Sequence, residues 1–159
     1  MGEALPEYGE LRPFTTDGRI GRLRYLAWSL SLILLMTGGL ILAAIGYAIT
    51  PAIGFLLGGV GLIAAMVVGV QIGVQRLHDI GWSGWLYLLA LVPYLGSVFS
   101  LVIMLIPGSA GANRYGAPPP ENTRAVKVLA GLWILVPVIG VLAAIALPAY
   151  QDYLLKASQ

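Results

Sequence analysis

An all-α, polytopic membrane protein is what this sequence predicts, and two observations predict it. Residues 25–75, 80–113 and 128–151 contain no Asp, Glu, Lys or Arg, giving uncharged runs of 51, 34 and 24 residues. A spanning helix takes roughly 20 apolar residues, so the first run holds two spans and the last holds one. Charged residues make up 10% of the chain and hydrophobic residues 58%, where a soluble domain carries about 25% charged residues. The charges sit at the ends of the runs, because a charge at mid-bilayer costs several kcal/mol. The expected architecture is a helical bundle with about four hydrophobic membrane segments, the third either kinked or a re-entrant hairpin.

Residues 1–17 read as a polar cytoplasmic tail in which Pro6, Gly9 and Pro13 break any helix. Thr15, Thr16 and Asp17 offer N-caps for a helix beginning near Gly18. The basic segment before the apolar run is too long and polar for a signal-peptide n-region, and no small-residue cleavage site comes after it, so the first helix is expected to stay as an anchor. That span is placed at residues 24–48. Thr50-Pro51 makes the turn into a second span at 53–75. Both must be helical, since an open sheet edge cannot sit in lipid. Gly61, Ala65, Gly69 and Gly73 recur every four residues on the second helix and let another backbone approach. Gly54 and Gly58 form a further pair, with Gly39 and Ala43 on the first helix placed to face them. Packing within the bundle is the simpler explanation of this ridge, and a dimer interface is the sharper one.

Residues 83–107 leave two readings open. Their apolar core of 22 residues is about 33 Å long as one helix, enough for a span. Yet Val92-Pro93-Tyr94-Leu95-Gly96 falls in its middle, where Pro removes a donor. With the N-terminus in the cytoplasm, one kinked span leaves six Lys/Arg inside and three outside; a hairpin leaves eight inside and only Lys156 outside. Positive-inside placement favours the hairpin. Length favours the span, because arms of about ten residues cannot cross. A linker at 121–127 then leads to a last span that starts near Lys127 and ends near Tyr150. Tyr150, Tyr153 and Lys156 suit interfacial anchoring; Trp82, Trp85, Tyr87 and Tyr94 could form a ligand box, with aromatic-belt anchoring the simpler role for most of them.

Three loop motifs stand out. Gly18-Arg19-Ile20-Gly21-Arg22 precedes the first span, where helical spacing would put Arg19, Arg22 and Tyr25 on one face. Arg76-Leu77-His78-Asp79-Ile80-Gly81-Trp82-Ser83-Gly84-Trp85 ends the second. Pro107-Gly108, Gly111, Asn113-Arg114-Tyr115-Gly116 and Pro118 come after the third. In this order they resemble the bacterial inner-membrane family called domain of unknown function 805, over residues 14 to about 120. The resemblance implies a small integral inner-membrane protein, multi-pass over residues 18–120, and supplies no activity. Gln75 stands where many members carry the first Arg of a pair. Residues 139–153 resemble the N-terminal helix of type IV pilins, within a C-terminal segment 128–159. The cleavage junction and glutamate of a pilin are missing, since Val126, Lys127 and Gly131 occupy those places. A processed pilin subunit is therefore not expected. Pairing with other membrane helices, pilins included, would use Gly140 and Ala144.

The chemistry on offer is narrow. A net charge of +2 is too small to argue for nucleic acid. No cysteine and a single histidine make a metal site or a nucleophilic triad a poor fit, so no cofactor, no metal and no catalytic residue are expected. Gln71, Gln75, His78 and Asp79 continue one polar face to the end of the second helix. A capped helix end with an Arg–Asp pair explains it; so does a titrating His78 tuned by its neighbours. The composite reading brings Arg19, Arg22, Arg76, His78, Asp79, Asn113 and Arg114 together as one polar cytoplasmic site, for an anionic lipid, a small anion or a partner segment. A non-enzymatic role in assembly, regulation or envelope maintenance is expected, with a small transporter or channel as the alternative. Against transport, the spans carry no acidic residue.

Overall fold

The computed structural model describes residues 7–157. The first six residues of the expected tail, with Ser158 and Gln159, lie outside the described residues. Among these the protein is helical, with one isolated bridge between Asn113 and Gly116. Helix α1 runs Arg22–Ile49 and α2 runs Pro51–Ile80, 28 and 30 residues, each longer than the roughly 20 that a bilayer requires. They are joined at Thr50 alone. Its backbone N–H donates to Gly46 O (3.0 Å), and its hydroxyl accepts from Ile53 N (3.3 Å), while Pro51 occupies the first turn where no donor is missed. So tight a turn presses the helices together. A Cβ on Gly54 would lie 2.7 Å from Tyr47 Cα, so only glycine fits there.

The first helix does not begin near Gly18. Gly18 adopts φ +86°, which breaks the helical path, and α1 is capped at Gly21 with no side-chain bond. Arg19 and Ile20 instead lie in a strap against the end of α2, where Ile20 N donates to Gln75 O (3.3 Å). Arg19 and Arg22 therefore do not share a helix face.

The end of α2 forms a Schellman-type cap. Gly81 takes φ +90°, its N–H donates to His78 O (3.1 Å), and Trp82 N returns to Leu77 O (2.9 Å). Residues 83–107 then fold as a hairpin rather than as one kinked span. A 3₁₀ arm at Gly84–Leu91 and helix α3 at Leu95–Leu105 are each about 16 Å long, half of a 30 Å core. Pro93 withholds a donor, Tyr94 takes φ +62°, and Gly96 N turns back to Val92 O (2.7 Å). Gly96 lies so close under the Ala90 carbonyl that a side chain would clash with it. The second foot returns to the start: Ser109 N donates to Asp79 O (2.8 Å), one turn from where Trp82 left. Tyr94 thus sits at the tip, 91% exposed, away from the edge where an aromatic anchor was expected.

The last span is broken in two. Helix α4 covers Arg124–Leu132, N-capped by Thr123, and α5 covers Leu135–Ala157. Pro137 has no N–H for the Trp133 carbonyl, so the chain passes through 3₁₀-type bonds such as Val136 N to Trp133 O (3.1 Å) before restarting. Helix α4 packs on α1, whereas α5 buries none of its residues.

The packed core is small and lies at one end. Ile20, Tyr25, Ile72, Leu77, Phe99 and Ile103 form it, where α1 starts, α2 ends and the hairpin stands. Mid-span residues such as Leu35, Phe55 and Ile63 face outward, as lipid-facing residues do. Because lipid is as apolar as these side chains, association there rests on close packing and hydrogen bonds. The Gly61–Gly73 ridge is accordingly split among several neighbours. A Cβ at Gly73 would enter the Tyr87 ring of the hairpin, one at Gly69 would reach Leu32 of α1 (3.7 Å), and Gly61 meets nothing. Gly58 does face Ala43 (3.6 Å), as the spacing predicts, while Gly39 and Gly140 have open space.

Candidate functional site

The three loop motifs converge at the core end, and a buried carboxylate is their centre. Asp79 accepts from Arg19 Nε (3.3 Å) and Nη2 (3.1 Å) on one oxygen and from Arg76 Nη1 (2.7 Å) on the other. All three residues are at most 3% exposed. Two guanidiniums and one carboxylate leave a formal excess of one positive charge. Backbone carbonyls take it up. Arg76 Nε donates to Ile103 O (2.9 Å) and its Nη2 to Ile106 O, capping the end of α3, where the helix dipole is negative. Arg19 reaches Ser109 O (2.7 Å), Gly111 O (2.8 Å) and Gly116 O (3.0 Å) in the third motif. A side chain on Gly108 would run into the Asp79 carboxylate, which is why the chain passes there as glycine.

Asn113 shapes the third motif. Its Nδ2 donates to His78 O (2.9 Å) and Ser109 Oγ (3.3 Å), and its Oδ1 accepts from Tyr115 N (2.9 Å). A two-way bridge with Gly116, at φ +118°, closes the turn. Arg114 and Tyr115 are thereby carried to its apex. Tyr115 stacks on His78 with centroids 3.8 Å apart and planes 10° from parallel. The Arg114 guanidinium lies 4.8 Å over the Tyr115 ring and donates to Gly81 O (3.1 Å).

The seven predicted residues are therefore brought to one end of the bundle, in two sets. Arg19, Arg76, Asp79 and Asn113 spend their hydrogen bonds within the protein. Arg22 and Arg114 are exposed and His78 is half-buried. Arg22 donates to Leu105 O (3.2 Å) at the hairpin's exit. Among the described residues His78 Nδ1 finds no hydrogen-bond partner. A cavity of about 490 Å³ opens beside His78 and Arg114, walled by these two with Arg12, Asp17, Arg19 and Tyr115. Its walls hold charge of both signs and a flat aromatic surface, which suits recognition of a charged group. Among the described residues no group of three His, Cys, Asp or Glu could hold a metal ion.

Three anchors fall outside the seven residues of the composite reading. Gln75 is 1% exposed and holds the strap through Arg12 O and Thr15 O, both at 2.6 Å. Arg24, 2% exposed, ties the start of α1 to Pro120 O (3.2 Å) and Glu121 O (3.0 Å). Tyr115 supplies the stacking surface. Their targets are carbonyls distant in sequence or a facing ring, so the only local signal was a polar or aromatic residue at a membrane edge.

Comparison with known proteins adds a family and no activity. The Inner membrane protein YhaI of Escherichia coli (strain K12) is 38% identical over 58 residues, 36% of this chain and 49% of that protein. The Inner membrane protein YhaH of the same organism is 40% identical over 45 residues, 28% of this chain and 37% of that protein. The chain thus matches about half the length of the first relative and less of the second. No solved structure matches. The family model described as "Protein of unknown function (DUF805)" matches residues 13–117, the strap through the third motif, and stops before α4 and α5. With two-thirds of its length inside that model, and all three motifs within the match except Pro118 at the end of the third, the chain belongs to the DUF805 family.

Proposed function

We propose that this chain is a non-enzymatic inner-membrane protein that acts through contacts, in assembly, regulation or envelope maintenance, with its recognition surface on the cytoplasmic face. One observation carries the reading: three distant motifs build a closed Arg–Asp–Arg clasp whose outer side presents His78 and Arg114 beside a polar cavity, with Arg22 exposed at the hairpin's exit. The inner-membrane location is taken from the names of the two relatives. Cytoplasmic orientation rests on charge. The hairpin returns to its starting end, so eight of the nine Lys and Arg gather where α1 and α4 start and α2 ends, leaving Lys156. Positive-inside placement puts that end in the cytoplasm.

The test has two arms. A cysteine at Ala117, in a chain with no native cysteine, is expected to resist a membrane-impermeant maleimide until the membrane is opened. Labelling of intact cells would reverse the orientation. Arg22→Ala with Arg114→Ala is expected to change the set of molecules that copurify with the chain while leaving its helical content intact. An unchanged set would refute the site.

A second reading, a small transporter or channel, draws on the half-length arms of the hairpin, a device that recurs in such proteins. Its discriminating measurement is solute flux in liposomes. Helix α5, with Gly140 and Ala144 unengaged within the chain, is the element proposed to meet other membrane helices, pilins among them. Crosslinks from α5 confined to this chain would remove that partner.

A further inference from the structure

Two apolar grooves flank the hairpin and run up to the same polar residues. The 3₁₀ arm has three residues per turn, so it carries three separate faces. Gly84 and Tyr87 press on α2, against Val74 and Gly73. Trp85, Leu88 and Leu91 form the second face and, with Val70 and Val74, line a groove of about 570 Å³. Leu86 and Leu89 form the third and, with Phe99 and Val102 of α3, line a groove of about 460 Å³.

Both grooves share Ser83, and each ends at a group of the third motif. The first reaches His78 and Tyr115; the second reaches Arg114. Tyr115 and Arg114 are themselves stacked and border the polar cavity of the clasp. Two apolar grooves thus end at one stacked pair, the first at Tyr115 and the second at the exposed Arg114, on a chain whose helices cross a membrane. Arg114 uses one bond, to Gly81 O, so most of its five donors remain. Glu10 and Asp17 also line the polar cavity, so an anion there meets charge of both signs.

We infer that this end of the bundle binds one anionic phospholipid, its phosphate on Arg114 and its two acyl chains in the grooves flanking the hairpin. This deepens the proposed recognition site and rests on it. The bilayer supplies the ligand. A two-chain lipid matches the forked apolar shape, and a free anion would use only its head.

The experiment titrates the purified full chain, in a neutral detergent, with dioleoylphosphatidylglycerol or dioleoylphosphatidylcholine and counts bound lipid by native mass spectrometry. One phosphatidylglycerol is expected to be retained, about fivefold more tightly than phosphatidylcholine, the worth of one base near a surface. Arg114→Gln, which keeps a donor for Gly81 O, is expected to erase that preference. Leu88→Trp, at a position 57% exposed, is expected to fill one groove and weaken both lipids. Equal binding of the two lipids to the native chain, or a preference that survives Arg114→Gln, would overturn the inference. Displacement of phosphatidylglycerol by inorganic phosphate would also overturn it, and would leave the polar site standing as a free-anion site. Loss of copurifying partners in Arg22→Ala/Arg114→Ala with no lipid preference in the native chain would keep the proposed function and remove the lipid.

Discussion

Removing Asp79 should cost more than any other single polar substitution in this chain. The carboxylate takes three charged hydrogen bonds, at 3.3, 3.1 and 2.7 Å, from two guanidiniums that are 3% and 0% exposed. Asp79→Ala leaves two positive charges enclosed with only carbonyls for partners. Breaking a buried pair by deleting one member costs about 3–5 kcal/mol, because the remaining charge stays desolvated. For a chain of this length that is on the order of 10 °C in Tm. Circular dichroism of the detergent-solubilised protein during heating measures it. The matched control is Arg12→Ala, which breaks the Arg12–Glu10 pair at 3.4 Å between side chains 55% and 83% exposed. Exposed pairs of that kind contribute about 0–1 kcal/mol. If Asp79→Ala falls within about 2 °C of Arg12→Ala, the clasp does not hold the three motifs together and the reasoning fails.

Gly73→Ala should displace the hairpin, since the new methyl would occupy the Tyr87 ring; overpacking of this kind costs about 1–3 kcal/mol, and in a Tyr87→Ala background the same change should cost little further Tm. Gly108→Ala should push the Asp79 carboxylate off its two arginines, with a Tm loss that does not add to that of Asp79→Ala in the double variant. Gln75→Leu should release the strap by removing both of its side-chain bonds to Arg12 O and Thr15 O, read as faster proteolysis before α1 with little change in helical content.

Much of this protein was legible before any coordinates. Uncharged runs longer than a bilayer requires can only become helices in lipid, so three spans and their order came from residues 25–75 and 128–151. Pro93 and Gly96 announced a break, and the base count favoured a return to the starting side. The seven site residues were legible as a group because polar side chains at membrane edges are few. Their division into a closed clasp and an open rim was not. It depends on which carbonyls come within reach. Arg76 finds Ile103 and Ile106 only because the hairpin folds back, and Arg19 finds Ser109 only because Gly108 lets the chain pass Asp79.

The sequence by itself determined that this chain is a helical membrane protein with its long spans in residues 25–75 and 128–151, because lipid penalises each charge and each unpaired peptide group separately. Only the tertiary structure decided that residues 83–107 double back, that α1 starts at Arg22 after a strapped Arg19, and that Asp79 is the common partner of two motifs. Most of those outcomes depend on contacts distant in the chain, from Arg76–Ile103 at 27 positions to Arg19–Gly116 at 97. In a bilayer such contacts have little hydrophobic drive behind them, so hydrogen-bond geometry chooses among the packings that the apolar pattern allows.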